Sequence, residues 1–318
     1  MAKHPVVPDI GNGFWSRFDE LWDEPLGHFE QTITLATSFG SDPNAPYFNS
    51  MDEEYWHVLR SLHSRTCLHA RGVLALLTNG LVDPAWVQWR VCHEAATIAL
   101  FIANDPQMAN RYLRHHRINQ HHLAKTLYEK NHHDAPSDEE LDYLEMMAET
   151  AKSGHELDYG QGVKSRDYGW SGLSNFSQIE ASTEANWRWK ARPEYVFASA
   201  RAHCAPSAVR PVRDDQGRSG FPVGPINFRL TGPADLTCLS LVRATIALIR
   251  NAIATTEIAI GLQQLDALSR SVGKLSWLSD PAIFCPDCGG HVPEASPPEE
   301  IPDSEKPEPC RCADFATV

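Results

Sequence analysis

Apolar residues recur at intervals of three and four along most of this chain, which is the spacing of helices with one buried face. The pattern is clearest over residues 53–79, where Asn79 and Gly80 supply a C-terminal stop. A longer pattern over residues 233–277 predicts one long helix, or two helices joined near Gly261. Packed against one another, such segments predict an all-α fold, a multi-helix antiparallel bundle.

Helix starts are marked by capping residues. Asp83 and Asp105 are each followed by a proline, the combination expected of an N-cap and a first turn. The helix that follows Asp83 is the most apolar of the first half, so we expect it to be central. Ser137 with Glu140 three residues later predicts a capping box.

The remaining segments predict shorter or interrupted elements. A first helix is predicted from Phe14 to Ser38, bent or interrupted at Pro25. The stretch 154–175 contains five glycines and is interpreted as a long connection. Further helices are expected over 176–190 and from Pro193 to about Ala205. The Pro/Arg/Gly-rich insert over 206–225 predicts either a short hairpin or a segment that runs over the surface of the bundle.

These elements suggest three regions of the chain. Residues 1–50 form an N-terminal helical extension, residues 51–278 form the helical bundle, and residues 279–318 form a Cys-rich tail outside it. The tail holds four of the eight cysteines, while Cys67, Cys92, Cys204 and Cys238 are scattered through helical sequence. This distribution indicates reduced interior thiols together with a metal site.

Charge and hydropathy narrow the function classes. The net charge of −13 and the pI near 5.6 argue against a protein that coats nucleic acid generally, because such binding needs a broad basic surface. The N-terminus lacks a secretory signal, and no stretch reaches about 18 uncharged apolar residues, so no membrane span is expected. We therefore expect a cytoplasmic protein, and a local basic groove is compatible with this charge balance.

The first candidate site lies in the apolar helix after Asp83. Arg90, His93 and Glu94 interrupt its apolar sequence, and Arg90 and Glu94 stand four residues apart on one helical face. Buried charges need partners, so these side chains either form a structural ion pair or belong to a functional pocket. Both interpretations stay open at this point.

A second polar stripe follows Pro193. Tyr195, Ser199 and His203 are spaced four residues apart and share one helical face. Two hydroxyls and an imidazole suit proton transfer or substrate hydrogen bonding near neutral pH. The alternative is that they only hydrogen-bond neighbouring helices.

The third candidate is the segment RYLRHHRINQHH, residues 111–122, which holds three arginines and four histidines. Arg111 precedes His116 by four intervening residues, and Arg114 precedes His121 by six. Such pairs resemble the Arg-to-His motif of the HEPN ribonucleases, in which arginine stabilises phosphate charge and histidine assists transfer at the ribose hydroxyl. The alternative is a solvated basic helix face.

The order of these features resembles the bacterial helical family of unknown function DUF5677. The matching features are the helix with Arg90 and Glu94, a helix centred on Tyr112, and the Tyr195 to His203 stripe, over roughly residues 50–265. The resemblance implies a bundle whose polar residues gather in one interhelical pocket, and such members look related to defence and mobile-element cargo. Cys204 stands where the family commonly has a glycine after the histidine.

The tail carries the spacing of a zinc knuckle. Cys285 and Cys288 are separated by two residues and are followed by two glycines, which let backbone amides face the sulfurs. Completing a structural zinc site needs further ligands, and the candidates are His291, Cys310 and Cys312. The spacer 292–309 contains six prolines and six acidic residues, unlike an ordinary zinc ribbon, so a redox or vestigial dithiol is the alternative.

Two function hypotheses follow. The first is an HEPN-like, metal-independent ribonuclease or phosphate-transfer effector, whose Arg111, Arg114, His116 and His121 would converge with His203 beside a basic cleft. The second is a non-enzymatic binding or regulatory protein stabilised by its zinc tail. RNA or another protein is the expected partner, and HEPN-type sites imply a homodimer.

Overall fold

A computed structural model describes residues 14–41, 53–159, 169–173, 175–183, 185–203, 212–213, 219–220, 232–251 and 255–278. Within these ranges the chain forms nine α-helices: α1 (Phe14–Ser41), α2 (Glu53–Thr78), α3 (Val82–Asn104), α4 (Gln107–Glu129), α5 (Asp138–Tyr159), α6 (Phe176–Thr183), α7 (Ala185–Ala202), α8 (Pro233–Ile249) and α9 (Thr256–Leu278). A 3₁₀ turn (Gly169–Ser171) precedes α6, and two-residue antiparallel strands, β1 (Val212–Arg213) and β2 (Ser219–Gly220), pair within the predicted insert.

The bundle is built around α3 and α8. The helix α3 packs against α2, α8, α6 and α7, which confirms the central position expected from its apolar sequence. Trp89 and Leu100 of α3 and Leu241 of α8 are at most 1% exposed. The pair α1 and α9 covers one side, while α4 packs against α5, α2 and the 3₁₀ turn. No helix in the described ranges is both long enough and apolar enough to cross a membrane.

The long C-terminal pattern is divided at a different place from the one predicted. The helix α8 ends at Ile249 and α9 begins at Thr256, so the join near Gly261 was wrong. Near the true break, the Asn251 amide donates to the Tyr55 hydroxyl at 2.7 Å. Gly261 instead lies inside α9, where a Cβ would stand 2.7 Å from the Phe39 ring. Gly261 therefore allows α1 to approach α9 closely and does not act as a hinge.

One predicted helix start needs correction. The helix α3 begins at Val82, with Leu81 before it and no side-chain cap. Asp83 lies within the first turn, and its carboxylate accepts a hydrogen bond from Arg201 Nε at 2.8 Å. The carboxylate thus ties α3 to α7, which explains why it does not cap its own helix.

The start of α4 lies one residue after the predicted one, because its N-cap is Pro106 and not Asp105, although Asp105 Oδ1 still accepts the Gln107 backbone N–H at 3.2 Å. The start of α5 is as predicted. The Ser137 N–H donates to Glu140 Oε2 at 2.9 Å, while the Glu140 N–H donates to Ser137 Oγ at 3.3 Å. This reciprocal pair is the expected capping box.

Three helix boundaries differ from those predicted. Pro25 lies inside an uninterrupted α1, and Pro193 lies inside α7 instead of starting it. Each proline removes one backbone donor, and burial of the neighbouring Leu26 and Tyr195 offsets that loss. The helix α5 extends to Tyr159 and so takes up part of the stretch predicted as a connection.

The interior thiols follow the predicted distribution where the structure describes them. Cys67, Cys92 and Cys238 are buried and free, and Cys204 lies outside the described residues. Burial raises the pKa of Cys67 to about 11, and that of the Cys92 and Cys238 thiols well above the ordinary value. These thiols are therefore inert packing groups.

Gly232, at the start of α8, cannot be replaced without strain. Its φ of 109° is unfavourable for other residues, and a Cβ there would lie 2.5 Å from two carbons of the Trp86 ring. We expect Gly232→Ala to lower the free energy of unfolding by at least about 2 kcal/mol. In Gly27→Ala, within α1, a Cβ meets nothing within 4 Å, and stability should rise by about 0.5–1 kcal/mol. Urea denaturation would contradict this account if both variants shifted in the same direction.

Candidate functional site

The helices α3 and α7 bring four of the predicted residues together: Arg90, Glu94, Tyr195 and His203, called here the α3–α7 cluster. Arg90 Nε donates to Glu94 Oε1 at 2.9 Å, and the Tyr195 hydroxyl donates to the same oxygen at 2.7 Å. Arg90 Nη1 lies 3.2 Å from His203 Nε2. The four-residue spacings on the two helices thus face each other across one interface.

The hydrogen bonds fix the protonation of this cluster. A guanidinium has donors only, so His203 Nε2 accepts from Arg90 and the imidazole is neutral, with its proton on Nδ1. Burial raises the pKa of Tyr195 to about 12, and the hydrogen bond to Glu94 adds to this effect. Burial is the largest single influence on Arg90 and acts to lower its pKa, but Glu94 and Tyr195 together outweigh it and the net direction is upward. Arg90 is therefore a fixed cation and Tyr195 a fixed donor.

The cluster is open to solvent at one end. The side chains of Arg90 and Glu94 are 21% and 25% exposed, Tyr195 is buried, and His203 is exposed. Among these groups, imidazole is the type that exchanges protons near neutral pH. The arrangement therefore presents one proton acceptor and one cation at the surface, supported from below by a carboxylate and a phenol.

Ser199 lies on the same stripe of α7, one turn from both Tyr195 and His203. Its carbonyl accepts the His203 N–H at 3.1 Å, which continues the helical hydrogen bonding to that residue. Its Oγ is buried and has no hydrogen-bond partner within the part of the chain that the structure describes. The serine thus positions His203 through its backbone.

A second network lies directly beneath the cluster and consists of His93, Glu180 and Arg192, called here the buried ion network. His93 Nε2 lies 2.8 Å from Glu180 Oε1, and both side chains are fully buried. Arg192 Nη1 donates to Glu180 Oε2 at 3.3 Å and is 34% exposed. These contacts join α3, α6 and α7.

The Tyr195 ring stands between the two networks. The guanidinium carbons of Arg90 and Arg192 each lie 5.4 Å from its centroid, within cation–π range. The His93 ring lies 5.6 Å from the Tyr195 ring and stacks on Trp89 at 5.4 Å. The orientation of the phenol is therefore set from both sides.

Sequence reasoning did not identify Glu180 and Arg192. The only available signal was the position of Glu180, four residues after Phe176 on the apolar face of α6, where both residues are buried. A charge at such a position predicts a buried partner, but the partner's identity depends on how α6 meets α3. Arg192 carried no comparable signal.

The predicted Arg/His residues of α4 are not brought to the α3–α7 cluster. Arg111 and Arg114 line a cavity of about 390 Å³ with Glu54 and Asn110, and Arg114 also lies against Gly154 of α5. Neither this cavity nor the one lined by His116 includes a residue of the α3–α7 cluster. The expected convergence with His203 is therefore absent from the described structure.

The α4 histidines likewise occupy separate places. His116 is exposed and lines a second cavity, between α2 and α4. His121 is 6% exposed and acts electrostatically on Glu149 of α5. This dense segment is spread around its helix, because Arg111 and His116 line different cavities whereas Arg114 and His121 both meet α5.

Metal binding has little support in the described ranges. Ligand atoms of His132, His133 and Asp134 lie within 4.8 Å of one another, but all three residues are exposed on the α4–α5 turn. The residues proposed for zinc, Cys285, Cys288, His291, Cys310 and Cys312, lie outside the described residues. The zinc site stays a prediction from their spacing.

These observations define an all-α protein with a polar cluster between two helices. A family model described as a family of unknown function, DUF5677, matches residues 56–219, a span that includes the whole α3–α7 cluster and the buried ion network. The chain belongs to the DUF5677 family. Searches of curated proteins and of solved structures find no match to it.

Proposed function

We propose that the protein is an HEPN-like, metal-independent phosphate-transfer enzyme of the ribonuclease type, with the α3–α7 cluster as its active site. The observation that supports this best is the contact of Arg90 Nη1 with His203 Nε2 at 3.2 Å. It sets a fixed cation beside an exposed, neutral imidazole, the pair needed to bind a phosphate and accept a proton.

The contact also suggests how a substrate would engage. A phosphodiester that binds Arg90 replaces the imidazole as the partner of the guanidinium, and this releases the Nε2 lone pair of His203. Glu94 and Tyr195 keep Arg90 in place meanwhile through hydrogen bonds of 2.9 and 2.7 Å that share one carboxylate oxygen. The acceptor and the phosphate are then adjacent without a metal ion.

The proposed reaction uses these groups in order. His203 accepts the proton of a ribose 2′-hydroxyl, the O2′–P bond forms, and the P–O5′ bond breaks. The imidazolium returns the proton to O5′, which leaves a 2′,3′-cyclic phosphate and a free 5′-hydroxyl. Arg90 stabilises the charge that develops on the phosphoryl oxygens.

The test is RNA cleavage by the full chain in EDTA, with the cyclic phosphate as the product measured. We expect His203→Ala to lower the rate by at least about a hundredfold, the usual range for a lost general base. His116→Ala is the matched control, because His116 is also exposed but lines a different cavity. It should cleave like the wild type.

Two outcomes would reject this assignment. Loss of cleavage in His116→Ala with retention in His203→Ala would move the site to α4. Wild-type protein that leaves RNA intact would remove the ribonuclease proposal itself. Circular dichroism of each variant separates loss of chemistry from loss of the fold.

A binding or regulatory role is the second candidate. The large apolar side chains of Leu123 on α4 and of Tyr143 and Met146 on α5 are 61%, 57% and 56% exposed, and exposed apolar surface favours a protein partner. A second copy of the chain is the partner we propose, since the resemblance to HEPN proteins implies a dimer. Intact RNA together with a concentration-dependent dimer in sedimentation would favour this candidate.

A further inference from the structure

A cavity of about 460 Å³ lies apart from the proposed active site, between α2, α4 and the 3₁₀ turn. Its size falls within the range of small-molecule sites. Its lining residues come from α2, α3, α4 and the 3₁₀ turn. None of these residues belongs to the α3–α7 cluster or to the buried ion network.

The inner wall of this cavity is apolar and aromatic. The Tyr112 and Trp170 rings meet edge to face, with centroids 5.0 Å apart, and Phe101 supports Trp170 from behind at 5.6 Å. Val58 and Leu62 of α2 are at most 5% exposed and complete the wall. Trp170 is 2% exposed and so holds Tyr112 from behind, which leaves the half-buried Tyr112 ring as a fixed surface that suits a flat apolar ligand.

The rim of the cavity is polar and basic. Arg65, His57 and His116 are exposed at its mouth, beside the hydrogen-bonding side chains of Ser61 and Asn119. The chain as a whole has 41 acidic and 28 basic residues, yet the lining contains no carboxylate. Arg65 also acts on the Tyr112 hydroxyl, because its charge opposes the rise in the pKa of Tyr112 that burial causes. The positive charge at this rim therefore favours an anionic ligand.

We propose that this cavity binds a small aromatic anion, with the ring against Tyr112 and the anionic group on Arg65. A nucleoside monophosphate has this chemistry, whether free in solution or as the phosphorylated end of an RNA chain. The inference does not depend on the proposed enzymatic function, because it uses different residues and predicts binding without turnover.

The test is calorimetric titration of the full chain with AMP. We expect saturable binding below about 1 mM, and adenosine and inorganic phosphate alone should each bind at least about tenfold more weakly. Arg65→Gln should weaken AMP binding about tenfold by removing a charge-assisted hydrogen bond. Arg117→Gln is the matched control, because Arg117 is exposed on α4 and lies outside the lining.

Two further variants, one in the cavity and one in the proposed active site, complete the test. Ser61→Trp places a bulky ring at the exposed mouth and should abolish binding without disturbing the core. His203→Ala should bind AMP like the wild type, which separates this cavity from the proposed active site. A short RNA with a terminal phosphate that competes with AMP identifies an RNA end as a ligand, whereas failure to compete identifies the free nucleotide.

Three results would overturn the proposal. They are absence of AMP binding by the wild type, equal affinity of Arg65→Gln and the wild type, and unchanged binding in Ser61→Trp. Binding of adenosine as tight as that of AMP would also refute it, since the anionic group would then contribute nothing.

Discussion

Glu180→Ala is expected to lower the free energy of unfolding by about 3–5 kcal/mol, because it removes the only carboxylate of the buried ion network. Glu180 and His93 are fully buried, and their contact of 2.8 Å holds α6 against α3. Without the carboxylate, the imidazole and the guanidinium of Arg192 lose their shared acceptor. A buried group without its partner loses far more than an intact pair contributes.

Urea denaturation at pH 7 measures this effect, with Glu145→Ala as the matched control. Glu145 is exposed in the middle of α5, so its replacement should change stability by less than about 0.5 kcal/mol. Glu180→Gln keeps an acceptor of similar size and should fall between the two. A cost below about 1 kcal/mol for Glu180→Ala would show that the network does not hold α6 in place.

The polar faces of the α3–α7 cluster could be predicted because helical spacing determines them. Arg90 and Glu94 share one face of α3, and Tyr195 and His203 share one face of α7, as their four-residue intervals require. That the two faces meet could not be predicted from spacing. It depends on how α6 and α7 return across α3, which involves contacts between residues about a hundred positions apart.

The α4 segment shows how residue density can mislead. At about 100° per residue, the five-residue step from Arg111 to His116 turns by about 140°, and these two side chains do line different cavities. The seven-residue step from Arg114 to His121 returns almost to the starting face, and both side chains meet α5. The rotation alone separates the segment into two groups, although the sequence could not reveal which neighbour each group contacts.

Glycines and prolines gave the least reliable boundaries, because their local preferences compete with packing. Gly261 suggested a helix joint but serves the close approach of Phe39, whereas the true break lies near Asn251. Pro193 suggested a helix start but lies inside α7. In both cases the tertiary neighbours decide the outcome, and a single sequence does not contain their positions.

His63 is expected to make the protein less stable in acid, by about 2.5 kcal/mol between pH 7 and pH 4.5. The side chain is 1% exposed on α2, and burial lowers its pKa to about 4 from an ordinary value of 6.5. Thr245 Oγ1 donates to the Leu241 carbonyl at 2.8 Å, so His63 Nε2, 3.2 Å away, must be the donor to Thr245. The buried imidazole is therefore neutral.

The sign of this effect follows from proton binding. Between pH 6.5 and about 4 the unfolded chain takes up a proton on His63 that the folded chain excludes, so acid favours unfolding. Stability from this residue is complete above pH 6.5 and is lost as the pH falls toward 4. The other ring nitrogen, Nδ1, faces Gly40 and has only a weak contact with Cys67 Sγ at 4.0 Å, and neither can stabilise a second proton well.

Comparing pH dependences isolates the contribution of His63 from that of the other titrating groups. Urea denaturation of the wild type and His63→Gln at pH 7 and pH 4.5 should show a smaller loss in the variant, by about 2.5 kcal/mol. His133→Gln is the matched control, because its side chain is 80% exposed and its replacement should leave the wild-type pH dependence unchanged. Parallel curves for the wild type and His63→Gln would mean that the folded chain accommodates the protonated imidazole, in which case the interface of α2 with α8 must open in acid.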